Sequence, residues 1–471
     1  MRNKKSNLYS AIRYTTLAAA VAPASALAGG FALNEQSASA MGVANAGTAA
    51  NPENATTVLF NPAGMSQLSG TNLSFGAAVL DIDAEAKEGV IARRKDGTTF
   101  RDGRGGDIAD PAVLPNLYMT HEVNDSVDVG FGIHAPYGLS ADYDDDFTGR
   151  YFADETELTV ISFSPSVSIN NGEGLSMGAG INIMHAQGKL TKFQDYSDLQ
   201  ALAGTPLEDG YADIEGDDVA VNFRVGFLYE LSKRTQFGLT LQTGTEFELD
   251  GDAEVSNVPD LAPNPDPVTS PQFPVVPTGG QTDQSEKVTV PLAIPESATF
   301  GVRHQLTDTI TLLGGATYAK WSRFEELDVV SREGGQGAIS SASGDPISHV
   351  TEDWQNTWQF NLGGIWQATP EWAFKTGYAF DESPVNEDYV TARIPSNDRH
   401  WLTLGAQWSD DSSGWTVDVA AGTLIFEDDA KVNEFEYDHD DPTGEPVNAS
   451  NYQGEHELEA WSAGIQVSKR F

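Results

Sequence analysis

From Gly70 to Phe471 the chain alternates amphipathic stretches with connections that are by turns very short and long, a rhythm that points to an up-and-down barrel closed across a lipid bilayer. Fourteen stretches carry it: 70–81, 113–123, 127–137, 157–169, 174–189, 218–231, 235–249, 288–305, 309–324, 354–368, 371–381, 400–409, 414–427 and 456–471. Connections after even-numbered stretches are tight and built of turn residues, such as Asn124-Asp125-Ser126, Thr307-Asp308 and Thr369-Pro370. Those after odd-numbered stretches are long, acidic and rich in Gly and Pro, giving expected loops at 82–112, 138–156, 190–217, 250–287, 325–353, 382–399 and 428–455. A soluble sandwich has no reason to sort its connections onto two rims in this way.

Parity within the stretches supports the barrel, because alternate side chains of a strand must face lipid and lumen. Val219, Val221, Phe223, Val225, Phe227 and Tyr229 alternate with Asn222, Arg224 and Gly226. Likewise Trp461, Ala463, Ile465 and Val467 alternate with Ser462, Gly464, Gln466 and Ser468. The apolar face reads as lipid-facing. Aromatics near span ends, Trp354, Trp366, Trp372, Tyr378, Phe380, Trp408 and Trp415, read as interfacial girdles.

Residues 1–28 read as a cleaved secretory signal, with Arg2, Lys4, Lys5 and Arg13, a short apolar run from Leu17, and Ala26-Leu27-Ala28 at the cut. No later stretch reaches the roughly eighteen uninterrupted apolar residues of a spanning helix, so the expected destination is the bacterial outer membrane. Four of the 27 Lys and Arg fall in the signal and none of the 69 Asp and Glu does, so the mature chain is more negative than the −42 of the whole. That charge argues against nucleic acid as a partner. Cysteine is absent, which removes disulfide and thiol chemistry. The acidic runs Asp142 to Asp146, Asp213 to Asp218 and Asp438 to Asp441 read as a solvated outer surface. Divalent cations bridging them to lipopolysaccharide are the sharper alternative, but the runs lack the ligand spacing of an EF-hand.

Between the signal and the first strand, residues 29–69 are mostly Ala, Gly, Ser and Asn and contain no Lys or Arg. They bury too little apolar surface to form a core of their own. The apolar anchor Val58-Leu59-Phe60 before the turn Asn61-Pro62-Ala63-Gly64-Met65 is unneeded in a solvated tail, so the segment is expected to fold into the lumen as a plug.

Here the chain resembles a known family. Gly30-Phe31-Ala32-Leu33-Asn34-Glu35-Gln36-Ser37, Gly42, Asn45-Ala46-Gly47 and Phe60-Asn61-Pro62-Ala63-Gly64-Met65 look like the plug of the FadL/TodX transporters of long-chain fatty acids and other hydrophobic compounds. The likeness continues through Ala135-Pro136-Tyr137-Gly138-Leu139, Phe147-Thr148-Gly149-Arg150-Tyr151, Trp321-Ser322-Arg323-Phe324, Asp381-Glu382-Ser383-Pro384-Val385, Ile394-Pro395 to Asp398-Arg399, and the terminal Phe471. It implies a monomeric fourteen-stranded barrel with an N-terminal hatch, delivered to the barrel-assembly machinery through Phe471 and working without a cofactor. It further implies capture of ligand in a groove between two outer loops, transfer to a lumenal pocket, hatch movement and lateral exit through the wall. The equivalent loops are 190–217, where Phe193, Tyr196, Leu199 and Leu202 recur every three residues, and 250–287, where Phe273 and Val275 sit among prolines.

A fatty-acid carboxylate calls for a cation inside the barrel, and the hatch has none. Parity places Arg224 and Lys375 inward near mid-span and Arg303 inward nearer the periplasmic rim; Arg224 and Lys375 are the leading candidates, unless they balance lumenal carboxylates such as Asp418 or tie down the hatch. Gly130-Phe131-Gly132, flanked by stretches carrying Pro115 and Pro165, marks the third strand for weak wall bonding, and the resemblance puts the lateral opening on the same strand. The catalytic signature H-E-x-x-H and a phosphate-binding loop are absent. The expected function is uptake of long-chain fatty acids or, by the same fold, aromatic hydrocarbons and alkanes. A general porin, an outer-membrane lipase and a surface adhesin are the competing readings.

Overall fold

The computed structural model describes residues 30–263, 275–334, 339–340 and 342–471, so the expected signal lies outside the described residues. The wall is a closed antiparallel barrel of 14 strands. They are β1 (Thr71–Ala86), β2 (Ala112–Asn124), β3 (Val127–Asp142), β4 (Glu155–Phe163 and Ser166–Asn170), β5 (Leu175–Gln194), β6 (Gly210–Ser232) and β7 (Thr235–Gln242 and Thr245–Pro263). The circuit continues through β8 (Val275–Ile294 and Ser297–Gln305), β9 (Ile310–Ala319), β10 (Thr357–Gln367), β11 (Trp372–Asp381), β12 (Arg399–Asp410), β13 (Trp415–Phe426) and β14 (Asn451–Arg470). β14 closes on β1, with Asn72 opposite Arg470 and Ala86 opposite His456. Among the described residues no helix is long and apolar enough to cross a membrane. A barrel closed on itself crosses with paired strands and needs none.

Several strands run well past the expected spans. The loops expected at 190–217 and 250–287 are largely strand: β5 and β6 stay paired to Gln194 and Gly210, and β7 and β8 to Pro263 and Val275. The reason lies in the side chains, whose polarity inverts along each strand while the parity holds. Within the membrane β6 turns Val221, Phe223, Val225 and Tyr229 outward and Asn222 and Arg224 inward. Above it the same outward face carries Asp213, Glu215 and Asp217, and the inward face carries Ala212 and Ile214. In β14 Glu455, Glu457 and Glu459 precede Trp461 on the outer face, so the indole marks the boundary between water and lipid. The lipid-facing signal ends there, but the backbone ladder does not.

Trp366, Trp372, Tyr378 and Trp415 are exposed on the lipid-facing surface. Trp354 is not. It is 2% exposed and packs in the loop cap against Phe324, with ring centroids 4.7 Å apart, because it precedes β10 and turns inward.

Residues 30–69 fill the lumen with short helical pieces, Ala38–Met41, Thr48–Ala50, Thr57–Phe60 and Pro62–Gln67. Small residues permit this, because the backbone lies directly on the wall. A Cβ added to Gly238 would meet Ala49 O at 1.8 Å, and one added to Gly377 would meet Val43 C at 2.1 Å. Inward polar side chains of the wall cap carbonyls that so irregular a backbone leaves unpaired: Asn361 Nδ2 donates to Ala44 O at 2.6 Å and Thr240 Oγ1 to Phe60 O at 2.8 Å. In the motif Phe60-Asn61-Pro62-Ala63-Gly64, Asn61 caps the turn that Pro62 begins, its Oδ1 accepting from Ala63 N at 3.0 Å. Its Nδ2 donates to Ala49 O and to Phe227 O of β6, so one side chain joins two plug turns to the wall.

Candidate functional site

Two cavities lie on either side of the segment Phe31–Leu33. The outer one, about 50 Å³, is almost wholly apolar and is bounded by Phe31, Leu158, Ile214, Leu249, Leu292 and Leu327. These are the inward apolar residues above the polarity switch, with Phe31 as one wall. The inner one, about 220 Å³, is lined by polar groups including Arg224, Gln242, Asn34, Gln359 and Asn361, together with Leu33 and Tyr137. Phe31 is wedged among Trp321, Phe324, Trp354 and Tyr137, at centroid distances of 4.8 to 6.0 Å.

The partition is held by β3. Leu33 N donates to Pro136 O at 3.0 Å and Gly138 N to Phe31 O at 2.9 Å, with Ala32 bridged to Tyr137. To reach the plug, β3 bulges at Ala135-Pro136, where its register on β4 shifts between His134 and Tyr137. The β2–β3 ladder ends at Leu117 opposite Ile133, and among the described residues nothing above it in β2 pairs with β3. The wall therefore parts one step beyond Gly130-Phe131-Gly132. Those three are fully laddered to Thr120, Met119 and Tyr118, and Gly132 exchanges both backbone bonds with Ser164. Proline has no N–H, and the plug has taken bonds that β2 would otherwise make, so the break sits at Pro136. Gly130 serves the plug instead, since a Cβ there would meet Met65 Sδ at 2.7 Å.

The candidate cations have different surroundings. Arg224 is buried at the inner cavity and bonds only neutral oxygens, Gln242 Oε1 at 2.7 Å and Val58 O at 3.5 Å. Lys375 lines neither cavity and is fully engaged, with Glu53 Oε2 at 2.6 Å, Asp418 Oδ1 at 3.0 Å and Ser39 O at 3.2 Å, which ties the plug to the wall. Arg303 lies nearer the turns, opposite Gln236, away from both cavities. Phe193 closes β5 and stacks edge-on to Tyr211 at 5.1 Å, while Tyr196 and Leu199 belong to the short helix Ser197–Ala203 and its cap. None of these three lines either cavity. Phe273 and the side chains of Leu202 and Val275 lie outside the described residues.

A second buried guanidinium outside any direct ion pair was missed from sequence. Arg393, 3% exposed, donates to Thr156 Oγ1 at 2.8 Å and Thr191 O at 2.9 Å beside the outer cavity, which Thr156 and Ile394 line. Like Arg224 it has no ion-paired carboxylate among the described residues. Its apolar flanks, Ala392 and Ile394 in an otherwise acidic loop, were the available signal.

Two carboxyls are buried in the loop cap over this cavity. Burial raises the Glu352 carboxyl from 4.5 to about 8 and Glu434 to about 7, against the opposing pull of Arg393. Because both folded values lie above the unfolded one, the folded cap holds protons that the unfolded chain has released. Its stability is full below about pH 4.5, declines as pH rises through the folded values and is level above about 8. Protection factors of 382–399, which are free of the intrinsic rise of exchange with pH, should fall across that window, and Glu352→Gln, which mimics the protonated acid, should flatten the profile. An unchanged profile in that variant would discard Glu352 as its source.

A closed transmembrane barrel occluded by residues 30–69, with an apolar chamber on the loop side and a polar one behind it, has the architecture of a plugged transport barrel rather than of an open pore. The chain belongs to the family described as outer membrane protein transport protein (OMPP1/FadL/TodX), whose model matches residues 19–471. It is 28% identical over 465 residues to the long-chain fatty acid transport protein of Salmonella typhi, covering 97% of each chain. Its fold is similar to that of a Pseudomonas aeruginosa FadL homologue, with a TM-score of 0.77 at 20% identity over 94% of this chain and 100% of that one. The Ralstonia pickettii toluene transporter TbuX superposes with a TM-score of 0.62 at 18% identity over 94% and 99%. These relatives are transport proteins, and this chain is an outer-membrane protein of their family.

Proposed function

We propose that this protein admits long-chain fatty acids, or compounds of similar apolarity, through the outer cavity, past Phe31–Leu33, into the inner cavity and out between β2 and β3. The observation that carries the proposal is the apolar outer cavity walled by Phe31, whose own segment is bonded to the bulged strand beside the wall gap. Ligand sites for small molecules run about 300–1,000 Å³, so the cavity must widen to admit a chain, and Leu327 and Ile394 from the loops are the parts able to move. Arg393 and Arg224, one beside each cavity and neither in a direct ion pair, suit successive contacts with an anionic headgroup. An acid is favoured over an aromatic hydrocarbon on that ground, and the full-length relatives named for fatty acids agree.

The direct test is oleate uptake by cells lacking their own transporter, set beside liposome swelling with sugars. Saturable oleate uptake without sugar permeation is expected. Free passage of sugars would make the protein a general pore. Changing Arg393 and Arg224 to Met should weaken binding of oleate roughly tenfold or more relative to oleyl alcohol, in line with the 1.5–3 kcal/mol of a charged hydrogen bond. Equal losses for acid and alcohol would remove the headgroup role.

A further inference from the structure

Above the barrel, four side chains from two loops converge. Glu326 and Asp328 flank Leu327, and His349 flanks Val350, on two short segments joined by Leu327 N to Val350 O at 2.9 Å and Val350 N to Leu327 O at 3.2 Å. Alternation sends Leu327 into the outer cavity and its two acidic neighbours to the other side. His439 arrives from the separate loop 428–455, which Thr351 Oγ1 also contacts through Pro442 O at 2.7 Å. One ligand atom from each of the four lies within 4.8 Å of the others. Asp328, 4% exposed at its side chain, meets an imidazole at each oxygen, His349 Nδ1 at 2.6 Å and His439 Nδ1 at 2.7 Å. The first is a hydrogen bond; the second is not. His439 Nδ1 is buried and lies outside hydrogen-bonding geometry although it sits so close, so its ring nitrogen is aimed beside the carboxylate oxygen rather than at it.

We infer that Glu326, Asp328, His349 and His439 form a site for a divalent transition metal of the zinc type, which clamps the two loops together over the outer cavity. Two imidazole nitrogens with two carboxylate oxygens suit zinc, whereas calcium and magnesium take oxygen ligands alone. Bonds of about 2.0–2.2 Å place tetrahedral ligands about 3.3–3.6 Å apart, so small side-chain movements close the set around an ion. Leu327 lies between two of the ligands, so a bound ion holds down one wall of the cavity. The site does not depend on which compound is transported.

The test is titration of the purified protein in detergent with Co²⁺, read by the visible d–d bands of a four-coordinate site, followed by displacement with Zn²⁺. One equivalent is expected per chain, with Zn²⁺ slowing hydrogen exchange in both loops. The double substitution His349→Gln and His439→Gln should lower the affinity by roughly a hundredfold or more, since loss of a mere supporting contact already costs 10–100-fold. Heat-modifiable mobility on gels shows that the variant barrel is folded. Absence of stoichiometric Co²⁺ or Zn²⁺ binding to the wild type, retention of it in the double variant, or equal binding of Ca²⁺ would each overturn the site and leave a hydrogen-bonded His-Asp-His contact.

Discussion

Lys375→Met should unlock the plug. The ammonium is shared by Glu53 of the plug and Asp418 of β13, and both it and Asp418 are 1% exposed at their side chains. Asp418 Oδ2 already lacks a partner, so removing the lysine strands a buried carboxylate whose one remaining donor is Gln407 Nε2 at 2.9 Å. Breaking one half of a buried pair costs about 3–5 kcal/mol, whereas replacing both halves with apolar groups is often neutral. In planar bilayers the variant should conduct ions in long openings that the wild type lacks, and adding Asp418→Leu should largely restore closure while Glu53 turns to solvent. If Lys375→Met stays as silent as the parent protein, the anchor is elsewhere.

The second large effect is expected at Leu292, which is 5% exposed and lines the outer cavity from β8. Leu292→Asp leaves the ladder intact, because the backbone pairing of Leu292 with Phe247 needs no side chain. It places a polar group without a partner where the ligand's alkyl chain would lie, at a cost of about 3 kcal/mol or a hundredfold in affinity. Oleate binding should fall accordingly while barrel assembly, judged by heat-modifiable mobility, is retained. An assembled variant that binds oleate normally would move the capture site away from this cavity.

Sequence reading succeeded where a one-dimensional rule governs. Lipid demands an apolar outer face and the strand demands a period of two, so the fourteen crossings, the two rims and the inward position of Arg224 and Lys375 could all be counted off. It failed where the rule changed along a strand. Asp250, Asp252 and Glu254 mark the outer face of β7 above the membrane as surely as Leu239 and Leu241 mark it within the lipid. Reading acidity as loop therefore hid Leu190 and Ile214, which pair with each other in the wall and line the outer cavity. The three-residue repeat of Phe193, Tyr196 and Leu199 drew attention to a loop that packs on itself.

The glycines of β3 show the same limit in another form. Their room for the plug was legible, but the wall gap lies at Pro136, because only the folded chain reveals that Leu33 and Gly138 complete bonds across that bulge. Lys375 and Arg224 have the same parity and burial yet opposite circumstances, one neutralised by Glu53 and Asp418 and the other facing a cavity. Composition and periodicity by themselves determined that this chain is a plugged membrane barrel, since solvent on one face and backbone pairing on the other act on every residue alike. Which cations stay free, where the wall parts and which loop residues meet were decided by tertiary structure alone, because each depends on contacts between residues far apart in the chain that no local pattern records.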